Sequence, residues 1–303
     1  MKDSCKRAHP PNPMNRPYSD LYIYYLKGRV AHGTEAFDAR FIGNWQEADS
    51  AFLFFTAPAD DAVQALVAER TDLDFIDRFE MPYADWHGSA VAPFTTQRFR
   101  VVPPWDAAGP GDRDRLSIVL DPGVVFGAGT HPTTRDCLAA VEMAFEGGPV
   151  DAALDIGTGT GLLALAAARL GSKRVIAVDN NYLAACTARD NIGRNGMHDT
   201  VLAVWGSGPD LAAVEADLLI ANIHYDVMAP IVASDGFMQK KWVVLSGLLQ
   251  SQAGRIEQQL EERGVGLVER WISDGIWYTY LGRVSGAMPG ARPRFSETDG
   301  NGL

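Results

Sequence analysis

The spacing of apolar and polar residues along the chain changes near residue 152. Beyond it, short apolar runs such as AALDI at 152–156 and VIAVD at 175–179 alternate with helical stretches such as TGLLALAAARLG at 160–171. The runs ADLLIAN at 216–222 and KWVVLSG at 241–247 follow as further strands. Strands that alternate with helices of this length predict a parallel sheet covered on both faces, an α/β fold.

The first part of the chain has a different pattern. LYIYYL at 21–26, AFLFF at 51–55 and LDFIDRF at 73–79 are typical of strands, and Asp60 and Asp61 precede a short amphipathic helix. We expect a small α+β domain here. The sequence QRFRVVPPWD at 97–106 predicts one more strand, closed by two prolines.

These patterns suggest five segments. Residues 1–17 and 285–303 are polar and rich in Pro or Gly, so we expect both to be disordered. Residues 18–88 would form the α+β domain, 89–113 a linker and 114–284 the α/β domain.

The amino-acid composition argues against some classes of partner and location. The net charge of −11 argues against direct binding of a nucleic-acid backbone but suits a basic protein partner. No apolar run could span a membrane, and the N-terminus lacks the apolar core of a secretory signal. The three cysteines are far apart and lack metal-ligand spacing, which favours reduced thiols in a cytoplasmic protein.

A glycine turn, LDIGTGTG at 154–161, joins a strand to a helix. Gly157 and Gly159 allow the backbone to approach a ligand closely, and Asp179 ends the next strand, where a carboxylate can bind ribose hydroxyls. A dinucleotide fingerprint would require Gly or Ala where Leu162 stands. Together with Asp155 at the strand end, this pattern favours S-adenosylmethionine over a pyrophosphate cofactor. A glycine turn without a ligand is the plain alternative.

The motif ANIH at 221–224 closes a later strand of the same sheet. Asn222 could accept a hydrogen bond from a substrate amine and aim its lone pair at a methyl group. His224 could relay a proton from that amine. The simpler alternatives are an Asn that caps the following helix and a His at the rim.

The segment DPGVVFGAGTHPTT at 121–134 is too rich in Gly and Pro to form part of a core. Its succession of a turn, an apolar pair, a second turn and hydroxyl residues is nevertheless too specific for a flexible linker. Together with LDIGTGTG, VDNN, ANI and VVLSGLLQSQ, it resembles the motifs of the PrmA family, the bacterial methyltransferases of ribosomal protein L11. The similarity runs from about residue 93 to 283. It is weak in the N-terminal domain, where the first helix and one Trp of the family pattern are missing.

This resemblance implies a Rossmann-like class I fold that depends on S-adenosylmethionine, with a smaller N-terminal α+β domain for substrate recognition. In the family, the loop corresponding to 121–134 folds over the cofactor and one of its threonines contacts it. That contact falls on Thr134, with Thr130 nearby. Further cofactor contacts fall on Gly157, Asp179 and Asn222.

We therefore expect a monomeric, cytoplasmic protein N-methyltransferase that acts on lysine or N-terminal amines of a ribosomal large-subunit protein. The alternatives are methylation of another protein or of a small amine, and a cofactor-binding assembly factor without transfer activity. A nicotinamide-dependent oxidoreductase is disfavoured by Leu162. The histidines show no metal-ligand pattern, so no metal is expected.

Overall fold

The computed structural model describes residues 18–31, 37–108, 114–284 and 294–298. The disorder predicted for 1–17 lies outside the described residues. Within the tail predicted to be disordered, residues Arg294–Thr298 form a strand, β15, that pairs in parallel with β13 (Val265–Ser273). This strand covers the edge of β13, and the disorder predicted for the tail stays a prediction.

The N-terminal part is an antiparallel sheet of four strands in the order β2-β3-β1-β4. One face packs against helix α1, whose buried residue is Val63. Three of the strands and the helix confirm the sequence prediction, whereas β2 was not predicted because it lacks a strong apolar run. The elements are β1 Asp20–Lys27, β2 Phe41–Glu47, β3 Ser50–Phe55, α1 Asp60–Glu69 and β4 Asp74–Pro82.

The segment expected to be a linker contains ordered strands. β5 (Phe94–Thr95) and β6 (Phe99–Val102) form a small sheet with β7 (Leu116–Val119). Phe99 and Val101 are buried in the same apolar core as the helices of the α/β part. The predicted strand near 97–102 is therefore confirmed, and residues 94–102 pack as part of that core instead of spanning free space. The exact domain boundaries remain a prediction.

The α/β part is an eight-stranded sheet in the order β10-β9-β8-β11-β12-β14-β13-β15. The five strands from β10 to β12 are parallel, and β14 is antiparallel to both of its neighbours. This confirms the parallel sheet expected from the sequence. The remaining strands are β8 Ala152–Ile156, β9 Arg174–Asp179, β10 Val201–Trp205, β11 Leu218–Asn222, β12 Trp242–Leu249 and β14 Trp277–Val284.

Helices cover both faces of this sheet. Two of them, α3 and α4, supply most of the helical residues of one core, and α7 and α8 pack on the other face. Helix α4 ends at Gly171, which adopts the left-handed conformation typical of a helix C-terminus. The helices are α2 Tyr83–Trp86, α3 Pro132–Glu146, α4 Leu162–Leu170, α5 Tyr182–Arg194, α6 Gly208–Leu211, α7 Tyr225–Ala233 and α8 Gln250–Glu262.

The strand order creates one crevice at the carboxyl edge of the sheet. From β8 the chain proceeds through β9 to β10 on one side, then crosses to β11 and β12 on the other. Ligands of such sheets bind outside the carboxyl ends of the strands where the order reverses. The crevice therefore lies between β8 and β11.

Two further sequence expectations concern membranes and cysteines. Within the described residues, no helix is both long and apolar enough to cross a membrane. Cys137 is buried and is a free thiol.

The loop that precedes α3 is fixed at its base by α5. The buried side chain of Asn191 accepts a hydrogen bond from the Asp121 backbone N–H at 2.9 Å and donates to the carbonyls of Asp121 and Thr160 at 2.9 and 2.8 Å. Arg194 forms an ion pair with the Asp121 carboxylate at 3.1 Å. One helix thus ties the loop to the turn that contains Thr160.

Replacing Asn191 with Ala should destabilise the protein by about 2–4 kcal/mol, because three buried backbone groups lose their partners. Urea unfolding gives the free energy directly. Arg189→Ala is the control on the same helix, since its side chain is exposed, and it should change stability by about 0.5 kcal/mol or less. Equal effects of the two substitutions would contradict the anchoring role of Asn191.

Candidate cofactor cleft and active site

The turn from Gly157 to Gly161 follows β8 and leads into α4. The Gly157 N–H donates to the Val178 carbonyl at 2.8 Å, which joins the turn to β9. Gly159 has a φ of +54°, and a Cβ there would lie 2.3 Å from the carbonyl oxygen of Phe126. Only glycine fits this position without moving the backbone.

The loop from Asp121 to Thr134 lies against this turn. The Thr160 N–H donates to the Phe126 carbonyl at 3.0 Å, and the Thr160 hydroxyl donates to the Gly127 carbonyl at 2.8 Å. The Phe126 side chain remains 48% exposed. The loop is therefore ordered by backbone contacts with the glycine turn, which agrees with the expectation that it is no flexible linker.

Asp179 stands at the carboxyl end of β9. Its two carboxylate oxygens accept hydrogen bonds from the N–H groups of Gly159 and Asn181, each at 2.9 Å. Burial raises the pKa of Asp179, while these two hydrogen bonds oppose the shift. Each oxygen keeps a second lone pair, so the pair can still accept two neighbouring hydroxyl groups.

Asp155 lies one residue before the end of β8 and is almost fully buried. One of its oxygens accepts hydrogen bonds from the Thr158 hydroxyl at 2.6 Å and from the Ala164 N–H at 3.1 Å. Burial raises the pKa of Asp155 to about 7. Its other oxygen is buried with no hydrogen-bond partner in the structure, which leaves it able to accept one from a ligand.

A narrow cleft lies between the loop and the glycine turn. Its volume is about 10 Å³. The Thr134 hydroxyl, in its wall, is buried without a hydrogen-bond partner. The lining side chains carry no ionisable group: Phe126, Gly127, Thr134, Gly157, Thr158, Thr160, Leu162, Leu163 and Asn222.

Asn222, the last residue of β11, is half-buried in the wall of this cleft. Its side-chain amide Nδ2 donates to the hydroxyl of Thr133 at 3.3 Å. The hydroxyl oxygen of Thr133 in turn lies 2.7 Å from Nδ1 of His131. We did not expect Thr133 from the sequence, where the two adjacent threonines of the loop motif were the only available signal.

Thr130 and His224 occupy other places. Thr130 is exposed and lines a neighbouring cavity of 440 Å³, together with Trp45 and Trp86 of the N-terminal part. His224 is exposed at the N-terminus of α7, and its side chain does not cap that helix. The cleft thus unites Thr134, Gly157 and Asn222, with Asp155, Gly159 and Asp179 beside it. His224 is not part of its wall.

This set of groups fits S-adenosylmethionine. The paired oxygens of Asp179 suit ribose hydroxyls, and the unpartnered oxygens of Thr134 and Asp155 suit a ligand that carries an ammonium group. The described residues contain no cluster of His, Cys, Asp or Glu that could hold a metal ion. The individual roles of these residues remain predictions.

Comparison with known proteins agrees with this geometry. The family model "Ribosomal protein L11 methyltransferase (PrmA)" matches residues 52–284. The ribosomal protein L11 methyltransferase of Myxococcus xanthus is 34% identical over 236 residues, which are 75% of this chain and 76% of that protein. The enzyme of the same name from Desulforamulus reducens is 36% identical over 187 residues, 61% of this chain and 59% of that protein.

A solved structure extends the comparison to the fold. The ribosomal protein L11 methylase of Lactobacillus delbrueckii subsp. bulgaricus superposes with a TM-score of 0.55 at 30% identity, covering 63% of this chain and 97% of that one. The match to Desulforamulus reducens spans about three fifths of that relative's length. The family model alone covers well over half of this chain. The chain belongs to the ribosomal protein L11 methyltransferase (PrmA) family.

Proposed function

We propose that this protein is an S-adenosylmethionine-dependent N-methyltransferase that modifies lysine or N-terminal amines of ribosomal protein L11. The observation that carries the proposal is the position of Asn222 in the wall of a cleft built by the glycine turn and the covering loop. The names of the relatives support the substrate. A cytoplasmic monomer that does not bind nucleic acid directly is part of the same proposal.

The bound cofactor supplies a methyl group on a positively charged sulfur. The chain contributes binding and orientation: Asp179 holds the ribose hydroxyls, Thr134 and Asp155 the amino-acid portion, and the loop excludes water. Asn222 accepts a hydrogen bond from the substrate amine and directs its lone pair toward the cleft. In-line methyl transfer mainly requires this positioning.

The substrate amine must lose a proton before it can attack. A lysine amine has a pKa of about 10.4, so deprotonation at pH 7 costs about 4.6 kcal/mol. The side chains that line the cleft include no carboxylate or amine that could act as a strong base. We infer that the positive sulfur and partial burial disfavour the ammonium form, and that the neutral amine is the species bound by Asn222.

The proposal is tested most directly on its substrate. Purified protein, labelled S-adenosylmethionine and unmodified ribosomal protein L11 should give a methylated product, with mass increments of whole methyl groups on amines. Mass spectrometry of L11 from cells with and without the gene provides the matching test in vivo. Unmodified L11 in both experiments would refute the proposed substrate, and labelling of another protein would identify an alternative.

Replacing Asp179 with Ala should weaken S-adenosylmethionine binding about ten- to a hundredfold, because the lost charge-assisted hydrogen bonds contribute about 1.5–3 kcal/mol. Calorimetric titration measures the affinity. Asp199→Ala is the control, since Asp199 is exposed before the amino end of β10, away from the cleft edge. An unchanged affinity in Asp179→Ala would remove Asp179 from the cofactor site.

Asn222→Ala should lower the single-turnover rate by about a hundredfold while changing cofactor affinity much less, because the amine loses its orienting acceptor. In the wild type, the rate should rise from pH 7 through at least pH 9 as more amine becomes neutral. A wild-type rate that is flat from pH 6 to 9, with chemistry shown to be limiting, would contradict this mechanism.

The same pH–rate measurement tests the alternative that His224 is the base. If its imidazole were the base, His224→Ala would lower the rate about a hundredfold and would change its dependence on pH. Because His224 is exposed and does not line the cleft, we expect His224→Ala to keep the wild-type pH profile.

A further inference from the structure

The backbone N–H and the hydroxyl of Thr133 both lie close to one nitrogen of His131. The Thr133 backbone N–H, which can only donate, lies 3.3 Å from Nδ1 of His131, and this contact caps helix α3. The Thr133 hydroxyl lies 2.7 Å from the same nitrogen. Because Nδ1 accepts the backbone N–H, it carries no proton. The ring is therefore neutral, with its proton on Nε2.

This tautomer sets the direction of the next hydrogen bond. With Nδ1 as the acceptor, the Thr133 hydroxyl donates its only proton to His131. Its oxygen is then left to accept from Nδ2 of Asn222, which lies at 3.3 Å. The chain of hydrogen bonds runs in a single direction, from Asn222 through Thr133 to His131. It uses one N–H of the Asn222 amide and thereby fixes the rotation of that amide.

The carbonyl side of the Asn222 amide is the side left for a substrate. Gly247 of β12 stands next to it, and a Cβ at that position would lie 3.2 Å from Oδ1 of Asn222. The absence of a side chain there keeps the surroundings of Oδ1 open. A flipped amide would present N–H donors to the amine and would bind an acceptor instead.

We propose that Thr133, oriented by His131, is a positioning residue that keeps the carbonyl oxygen of Asn222 directed at the substrate amine. The proposal rests on the amine methyltransferase function proposed above. Thr133 acts through Asn222 and need not touch either the cofactor or the substrate.

The arrangement predicts an acid-sensitive step. A protonated His131 carries a proton on Nδ1, so it can accept from neither group of Thr133, and the hydroxyl loses its fixed direction. The rings of Phe126 and Trp277 pack on His131, with centroids 5.4 and 4.9 Å away. Burial lowers the pKa of His131, and the nearby Asp274 carboxylate opposes this shift more weakly. The Thr133 hydroxyl should therefore lose its fixed direction only below about pH 6.5.

Three variants test the proposal. Thr133→Val removes the hydroxyl but keeps the shape, and Thr133→Ser restores a hydroxyl. Thr187→Val is a matched control, because Thr187 is buried to a similar degree and its hydroxyl donates to the Leu183 carbonyl of helix α5. Single-turnover methyl transfer and cofactor affinity are measured for each protein between pH 5 and pH 9.

We expect Thr133→Val to transfer methyl about tenfold more slowly than wild type at pH 8, with cofactor affinity within about twofold. Thr133→Ser should recover most of the rate, and Thr187→Val should match wild type. The ratio of wild-type to Thr133→Val rates should shrink toward one as pH falls below the pKa of His131. Because both proteins use the same amine, its own deprotonation cancels in this ratio. A ratio that stays constant with pH, or an equal loss of cofactor affinity, would overturn the proposal.

Nitrogen NMR of His131 in the wild-type protein gives a readout without turnover. We expect a neutral ring protonated at Nε2 with a pKa below 6.5, and a ring protonated at Nδ1 would overturn the proposal even if Thr133→Val failed to fold. If the wild type transfers no methyl to ribosomal protein L11 while His131 shows the expected tautomer, the proposed function fails. The hydrogen-bond chain itself would stand.

Discussion

The close contact between the Phe126 carbonyl and the backbone at Gly159 and Thr160 is the constraint on which the site depends. A hydrogen bond of 3.0 Å joins the carbonyl to the Thr160 N–H, and no side chain fits at Gly159. This contact places a loop from one part of the sequence over the carboxyl edge of a sheet built from another. Phe126 and Gly127 of this loop line the cleft together with Thr158 and Thr160 of the glycine turn.

The rest of the molecule holds this loop from two sides. On one side, Asn191 and Arg194 of α5 bind Asp121 at the start of the loop. On the other, Tyr83 donates its hydroxyl proton to the Gly123 carbonyl at 2.7 Å, and Trp86 donates its indole N–H to the Val124 carbonyl at 3.2 Å. Helix α2 is therefore bonded to the loop, and Leu21, Ile23 and Phe54 of the N-terminal sheet pack with Val124 and Val125 in one apolar cluster.

Sequence patterns were sufficient to locate the residues of the site that stand at the end of a strand. Asp179 and Asn222 each close a parallel strand, and such ends meet at one edge, so their proximity to the glycine turn follows from periodicity alone. Thr133 could not be found in this way, because its contact with Asn222 spans 89 residues and depends on where α3 begins. His224 is the converse case. It follows Asn222 by only two residues in the sequence, yet its side chain is exposed at the start of α7. The family resemblance implies that Thr130 lies near the cofactor; in this structure it lines the cavity that adjoins the cleft, and its role stays a prediction.

Hydrogen–deuterium exchange with and without S-adenosylmethionine tests the central claim that the loop and the glycine turn form one cofactor cleft. Saturating cofactor should slow exchange in residues 124–134 and 157–161 together, and around Asp179 and Asn222. Exchange in helix α1, which packs in a separate core cluster that includes no residue of the loop, should stay unchanged and serve as the internal reference. Protection of the glycine turn with no change in the loop would contradict the claim, and so would the absence of any protection at saturating cofactor.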